Sequence, residues 1–415
     1  MLVHRRHRAL YAAFDRFPTR KGASTHIARF APCLFEEHGG GLLYVVGDET
    51  LQAHQIEGDV EIVRFSTPFP NLLERAVAFG EYLACILEEA GDDLEICHFR
   101  DPWSGVPILE RPHRYSTVFE VNALPSIELP YAYPSIAPRT LDKIRAAERF
   151  CLETVDRIVT PSRTTRDLLV GEGVPASKID VVPNGADPVP PLPRPFEAPD
   201  EYLIYFGALQ PWQGIDTLLH AFARLADLDS LRLVVCGSGR SRHARAAEKL
   251  AGKLGLGEKV IWRWELPSSE LEPWLGNALL SIAPLRACSR NVEQGCAPLK
   301  ILESLAAGVP VVASDLPPVR EIVTDGVEGR LVAPDRPAEL ARAIRVLLHF
   351  PRIRAAMAVA ARERAAQDFT WDRSLSLLKG VYRSLRPPAA KHFFTIPTAE
   401  DEHVQGSQGV SVALA

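Results

Sequence analysis

The chain has 415 residues, 47% hydrophobic and 24% charged. That length and balance favour two or more globular domains and exclude a largely disordered chain. A formal net charge of −5 supplies no overall field to draw in nucleic acid, and seven cysteines without a CxxC pair point to reduced, buried thiols and away from a disulfide framework or a Cys-based metal site.

In chain order, the first half alternates strand with helix. Residues 8–14 are a short apolar run that predicts a strand, and 24–38 have helical apolar spacing closed by glycines at 39–41. Further strands are predicted at 42–46, 94–98, 116–121, 157–160 and 179–182, and helices at 72–90, 141–154 and 163–170. The segment 186–200 carries six prolines, which excludes a helix or central strand and predicts a stiff, extended hinge. Beyond it, strands at 202–206, 231–236, 260–264, 279–283 and 309–313 alternate with helices at 214–225, 243–254, 269–276, 298–307, 338–349, 352–367 and 371–383. Such alternation predicts parallel sheets with helices on both faces. Two of them joined by a hinge imply a cleft between the loops at the strands' carboxyl ends, where ligands of open α/β sheets bind.

The tail after Pro387 has no period and reads as disordered. No apolar run is long enough to span a membrane. The apolar stretch behind the basic N-terminus is broken by Asp15 and Arg16, so a signal peptide is not expected and the chain reads as cytoplasmic. The basic cluster at residues 4–8 suits either a solvated terminus or peripheral contact with anionic lipid at the inner membrane face.

The segment PLKILESLAAGVPVVAS (298–314) carries the densest signal. Pro298 suits a helix's first turn and Gly308 its left-handed end. The helix amino terminus should face the cleft, with free N–H groups and a positive dipole end fit for a diphosphate. Lys300 and Glu303 are three residues apart and share a face. A carboxylate placed there can accept hydrogen bonds from two vicinal hydroxyls, as on a ribose; the two side chains also suit an ordinary surface ion pair.

This segment resembles the signature of family 4 glycosyltransferases, retaining enzymes of the two-domain GT-B architecture. Five more segments agree in order: RFPTRKGASTHI (16–27), ETVDRIVTPSRTTRDLL (153–169), IDVVPNGAD (179–187), YFGALQPWQGIDTLLHAFARL (205–225) and ASDLPPVREIVTDGVEGRLV (313–332). The likeness runs from about residue 8 to 385. It implies an α/β fold of two Rossmann-like, doubly wound parallel-sheet domains facing a cleft. Residues 1–190 would bind the acceptor and 191–370 the nucleotide sugar; a helix at 371–387 would cross back to the first domain, leaving a disordered tail at 388–415. It also implies transfer of a hexose-type sugar from a nucleoside-diphosphate sugar to a hydroxyl of a glycan, lipid-linked or small-molecule acceptor, with retention of configuration and no metal or other cofactor.

Within that resemblance, Glu303 matches the acid that holds the donor ribose. The family's other acid position is Gly295, so the loop NVEQGCAPLK (291–300) would meet the donor through Gln294, the backbone around Gly295, Pro298 and Leu299, and Lys300. The two cations that hold the diphosphate in the family are replaced in Gly207-Ala208 … Gln213-Gly214. The phosphates then depend on Lys300, the helix terminus and Lys21 or Arg100 across the cleft; the PWQG and PxKxxE forms read as marks of a sub-branch. Gly22 allows close backbone approach. Arg100 stands where the family often has a His near the reaction centre. It cannot act as a base but can stabilise a leaving diphosphate, so Arg100, Lys300 and Glu303 are the expected catalytic residues.

Gly237 and Gly239 lack the third glycine of a dinucleotide fingerprint and read as points where a phosphate or base nears the backbone. Trp264 suits either a nucleobase contact or core packing, and Trp212 either loop packing or a ligand. Lys21, His98, Trp103, Glu120 and Asn122 are the acceptor-side candidates, while His26 reads as structural. The DxD at 227–229 lies away from the expected cleft, and no metal site is expected. The missing cations leave open a non-catalytic binding protein of this fold, and a sugar-nucleotide epimerase or hydrolase remains an alternative.

Overall fold

Two parallel sheets organise the chain. The first contains β1 (Ala9–Arg16), β2 (Gly41–Val46), β3 (His54–Glu57), β4 (Val60–Phe65), β5 (Ile96–Phe99), β6 (Ser116–Glu120), β7 (Arg157–Thr160) and β8 (Ile179–Val181), in the order β3-β4-β2-β1-β5-β6-β7-β8. The second contains β9 (Glu201–Gly207), β10 (Leu231–Gly237), β11 (Val260–Trp264), β12 (Leu280–Ala283), β13 (Val311–Ser314) and β14 (Gly329–Val332), in the order β11-β10-β9-β12-β13-β14. The computed structural model describes residues 5–19, 22–239 and 241–385; Lys21, His4 and the tail expected from 388 lie outside them.

Central strands are buried on both faces, which is why they read as continuous apolar runs. All six residues of β2 are buried. In the second sheet the order reverses between β9 and β12, a topological switch that opens a crevice at the carboxyl ends. There Gly207 pairs with Gly237, and Gly237 with Trp264, so three strand ends stand side by side at the rim.

Some elements escape the sequence patterns. β3 is an antiparallel edge strand, HQIE, without an apolar run. The helices Pro102–Glu110 and Pro125–Ala132 each contain an internal proline and read as loops. The first is started by Asp101, whose side chain accepts from the Ser104 N–H, with Pro102 next, where its missing N–H costs nothing.

The chain crosses between the sheets twice. After β8 the backbone at Gly185 runs against Thr370 and Trp371, so closely that a Cβ on Gly185 would stand 2.4 Å from the Trp371 nitrogen. Ala186 N–H donates to the Phe369 carbonyl at 2.8 Å. The final helix, Trp371–Ser384, then lies on Gly22–His38: Trp371, Leu378, Val381 and Tyr382 enter the core beneath β1, while Lys379 and Arg383 pair with Glu36 and Glu37 at its edge.

Candidate active site

A cleft of about 780 Å³ separates the carboxyl ends of the two sheets and is lined from both, a size within the range of small-ligand sites. On one side stands the helix Leu299–Ala306, which begins one residue later than its sequence suggests, with Pro298 as N-cap. Ile301, Leu302 and Leu305 are buried against the second sheet, and the Ser304 hydroxyl is anchored to Ser281 and to the Lys300 carbonyl. That packing turns Leu299, Lys300 and Glu303 into the cleft.

Lys300 Nζ donates to Gln213 Oε1 at 2.6 Å and rests 4.1 Å above the Tyr205 ring. A Cβ on Gly207 would meet the lysine stem at 3.6 Å. Burial lowers the ammonium pKa to about 7, against the attraction of Glu303. Burial likewise raises Glu303 to about 7, with Lys300 opposing and Glu272 and Asp187 adding to the rise. The two groups face the cleft without bonding each other, and both titrate near neutrality.

From the first domain Arg100 enters the cleft. Its Nε donates to Glu120 Oε1 at 3.1 Å, and its Nη1 to Asp15 Oδ2 at 3.0 Å and the Ala23 carbonyl at 3.1 Å. Burial opposes its charge, but Glu120 and Asp15 outweigh it and hold the pKa above the ordinary value. Glu120 is 2% exposed. It accepts from Tyr11 at 2.6 Å and from Asn122, with His26 Nδ1 at 3.1 Å and His98 Nε2 at 3.2 Å. Burial would raise its pKa; Arg100 and the two histidines win and hold it well below the carboxylate range. Asp101, beside Arg100, is raised by burial to about 6 although the Phe14 and Ser104 N–H groups bond to it.

Several bonds close the cleft across the domains. Leu124 N–H donates to Gln294 Oε1 at 2.9 Å, Asn184 Nδ2 to the Ala297 carbonyl at 2.8 Å, and Arg290 Nε to Glu128 Oε1 at 2.6 Å. Glu321 caps the helix Arg163–Gly171 by accepting from the Arg163 and Thr164 N–H groups.

A profile of Glycosyltransferase Family 4 matches residues 20–189, and one of Glycosyl transferases group 1 matches 193–364. D-inositol 3-phosphate glycosyltransferase 1 of Catenulispora acidiphila is 30% identical over 336 residues, 74% of this chain and 75% of that protein. The chain belongs to glycosyltransferase family 4. Solved structures agree on the GT-B fold. Sucrose-phosphate synthase from Thermosynechococcus elongatus superposes with a TM-score of 0.73 at 18% identity, covering 91% of this chain and 98% of that one. Anabaena Alr3699/HepE in complex with UDP and glucose superposes at 0.70 and 17% identity, covering 91% and 100%.

In this transferase the cleft lining includes Gly22, Arg100, Trp103, Asn122, Gly207, Gln213, Gly237, Pro298, Leu299, Lys300 and Glu303. Other residues expected at the site lie outside the lining. His98 is fully buried, its Nδ1 bonded to Tyr382 Oη at 2.8 Å; with Glu120 it lies under the cleft floor, because the final helix covers that face of the sheet, and neither reaches the lining. Trp264 stacks on Trp262 and covers Gly237 from behind. Gln294 is buried, its oxygen spent on Leu124. Gly295 packs on Thr164, 2.9 Å from where its Cβ would be, and Gly214 abuts the Pro284 carbonyl; both face protein. Gly239 stands beyond the lining, which reaches Ser238. His26, read as structural, both lines the cleft and touches Glu120.

The sequence patterns missed Asp15, Asp101, Glu265 and Arg290, all in the lining. Asp101-Pro102 is a helix-start signal that marks one of them. Glu265 holds φ +54, a left-handed conformation uncommon outside glycine, with its N–H on the Gly237 carbonyl at 2.8 Å. The DxD acids are occupied elsewhere, Asp227 by Arg345 and Asp229 by Lys259. Among the described residues no helix is long and apolar enough to cross a membrane.

Proposed function

We propose that the chain moves a hexose-type sugar from a nucleoside-diphosphate sugar to an acceptor hydroxyl, with retention at the anomeric carbon and without a metal ion. The observation that carries this reading is the joint presentation of Lys300 and Glu303 to a cleft that Arg100 enters from the opposite domain. Glu303 accepts the ribose hydroxyls, while Lys300 and the helix N–H groups hold the diphosphate. Arg100 stabilises charge on the departing phosphate from the far side. That phosphate, rather than a side chain, takes the acceptor's proton. Support comes from Alr3699/HepE, which shares the fold and was solved in complex with UDP and glucose, and from relatives named D-inositol 3-phosphate glycosyltransferase.

Titration with UDP, GDP and ADP tests the donor side. Glu303→Ala should lose roughly 2–5 kcal/mol of nucleotide binding, the usual cost of truncating a desolvated charged partner. Unchanged affinity removes Glu303 from the role. Product formed from the preferred donor in the presence of a chelator, with its anomeric configuration read by NMR, tests retention and metal independence together; sugar released without an acceptor would favour a hydrolase.

A further inference from the structure

A diphosphate brings at least two negative charges to the donor side of the cleft. Ala208 and Gln213 offer none in return, and Lys300 is a single cation against them. Among the described residues two arginines also line the cavity, Arg100 and Arg290. Arg100 is held at the acceptor side by Glu120 and Asp15. Arg290 stands on the donor side.

Its guanidinium lies 4.8 Å over the Trp212 ring. Trp212 directly precedes Gln213, the residue that receives Lys300 Nζ, so the two cations flank one turn, Pro211–Gln213. The turn is pinned: Asn291, fully buried, donates to the Trp212 and Arg286 carbonyls at 2.9 Å, and Gly214 is wedged against Pro284.

What occupies Arg290 is a carboxylate of the other domain. Glu128, on the helix Pro125–Ala132 and in the same lining, accepts from Arg290 Nε, with the arginine side chain 16% and the glutamate 31% exposed. Neighbouring Tyr131 bonds Ser289 and sets its ring edge on Trp212. Arg290 Nη1 donates to Asn291 Oδ1 at 3.0 Å, which leaves the Nε–Nη2 edge of the planar guanidinium to receive two oxygens, from a carboxylate or a phosphate alike.

We propose that Arg290 supplies the diphosphate cation that Ala208 and Gln213 do not, exchanging Glu128 for a donor phosphate, so that nucleotide arrival also releases a tie between the domains. This rests on the donor reading above and adds to it a ligand and a coupling to domain opening.

Calorimetric titration of the full chain with UDP, GDP and ADP, and with uridine, guanosine and adenosine, tests it. Arg290→Met should weaken the best diphosphate tenfold or more and leave its nucleoside unaffected. Glu128→Gln should tighten the diphosphate several-fold, because a competing carboxylate is gone, and a gain of affinity cannot arise from misfolding. In the Arg290→Met background Glu128→Gln should change nothing. If Arg290→Met binds diphosphate like the parent chain, or Glu128→Gln weakens binding, the pair is a structural tie and the inference falls alone. If the parent chain binds none of the three diphosphates, the donor reading falls and takes this inference with it.

Discussion

Arg100 and Glu120 are joined Nε to Oε1 at 3.1 Å, the arginine at the cleft and the acid beneath its floor. Asp15, in the cleft lining, takes Nη1 of the same guanidinium at 3.0 Å, so Arg100 is oriented by one acid from beneath and by a second at the cleft itself.

Glu120→Gln should therefore destabilise the fold by on the order of 3 kcal/mol, since removing one partner leaves the other charge buried and under-compensated; urea denaturation reads it. The pH dependence has a definite sign. A carboxylate held below its unfolded pKa stabilises the fold above that unfolded value and loses the contribution as pH falls through the folded one. The parent chain should lose more stability on acidification than the variant does, and parallel acid limbs would contradict the assignment.

Lys300 and Glu303 make the opposite prediction. Glu303, raised to about 7, contributes stability below its ordinary 4.5 that is lost as pH rises through 7. Lys300, lowered to about 7, contributes stability above 10.5 that is lost as pH falls through 7. The sum of the two contributions is thus smallest near neutrality, where the pair adds little to the fold. Lys300→Met with Glu303→Leu should match or exceed the parent stability at pH 7, by up to about 1–4 kcal/mol, while nucleotide binding disappears. A thermal midpoint several degrees lower than the parent's would overturn this.

The final helix is fastened through Tyr382, whose hydroxyl meets His98 Nδ1 at 2.8 Å. Tyr382→Phe keeps the ring packing and strips the bond from a histidine with no access to water. The expected loss is about 1–3 kcal/mol in chemical denaturation. A variant as stable as the parent would show that the contact carries no weight.

Gly207 and Gly214 both hold positive φ, +105° and +70°, but their surroundings differ. A Cβ on Gly207 meets only the flexible Lys300 stem at 3.6 Å, whereas one on Gly214 would lie 1.8 Å from the Pro284 carbonyl oxygen. Gly214→Ala should cost clearly more than Gly207→Ala, which carries backbone strain alone and should lose about 1 kcal/mol or slightly more. Paired urea curves check the ranking; equal costs would mean the turn shifts freely.

Local chemistry was enough to read most of the framework. Apolar runs such as LLYVV at 42–46 announce buried parallel strands, six prolines announce the irregular segment at 186–200, and Pro298 and Gly308 bracket a helix whose three-residue spacing turns Lys300 and Glu303 the same way. Each of these depends on neighbours a few residues apart, where the backbone period carries the information. The rest hangs on distant partners. Period two places Val118 and Glu120 on one face of β6, but only the docking of residues 371–384 makes that face an interior, and so puts His98 and Glu120 beneath the cleft instead of in its lining. Glu128 and Arg290 are 162 residues apart, His98 and Tyr382 are 284 apart, and no sequence pattern links such pairs. Their meeting is decided by how two sheets and a returning helix pack, because burial, which sets whether a polar group faces water or protein, belongs to the assembled core and not to any segment of it.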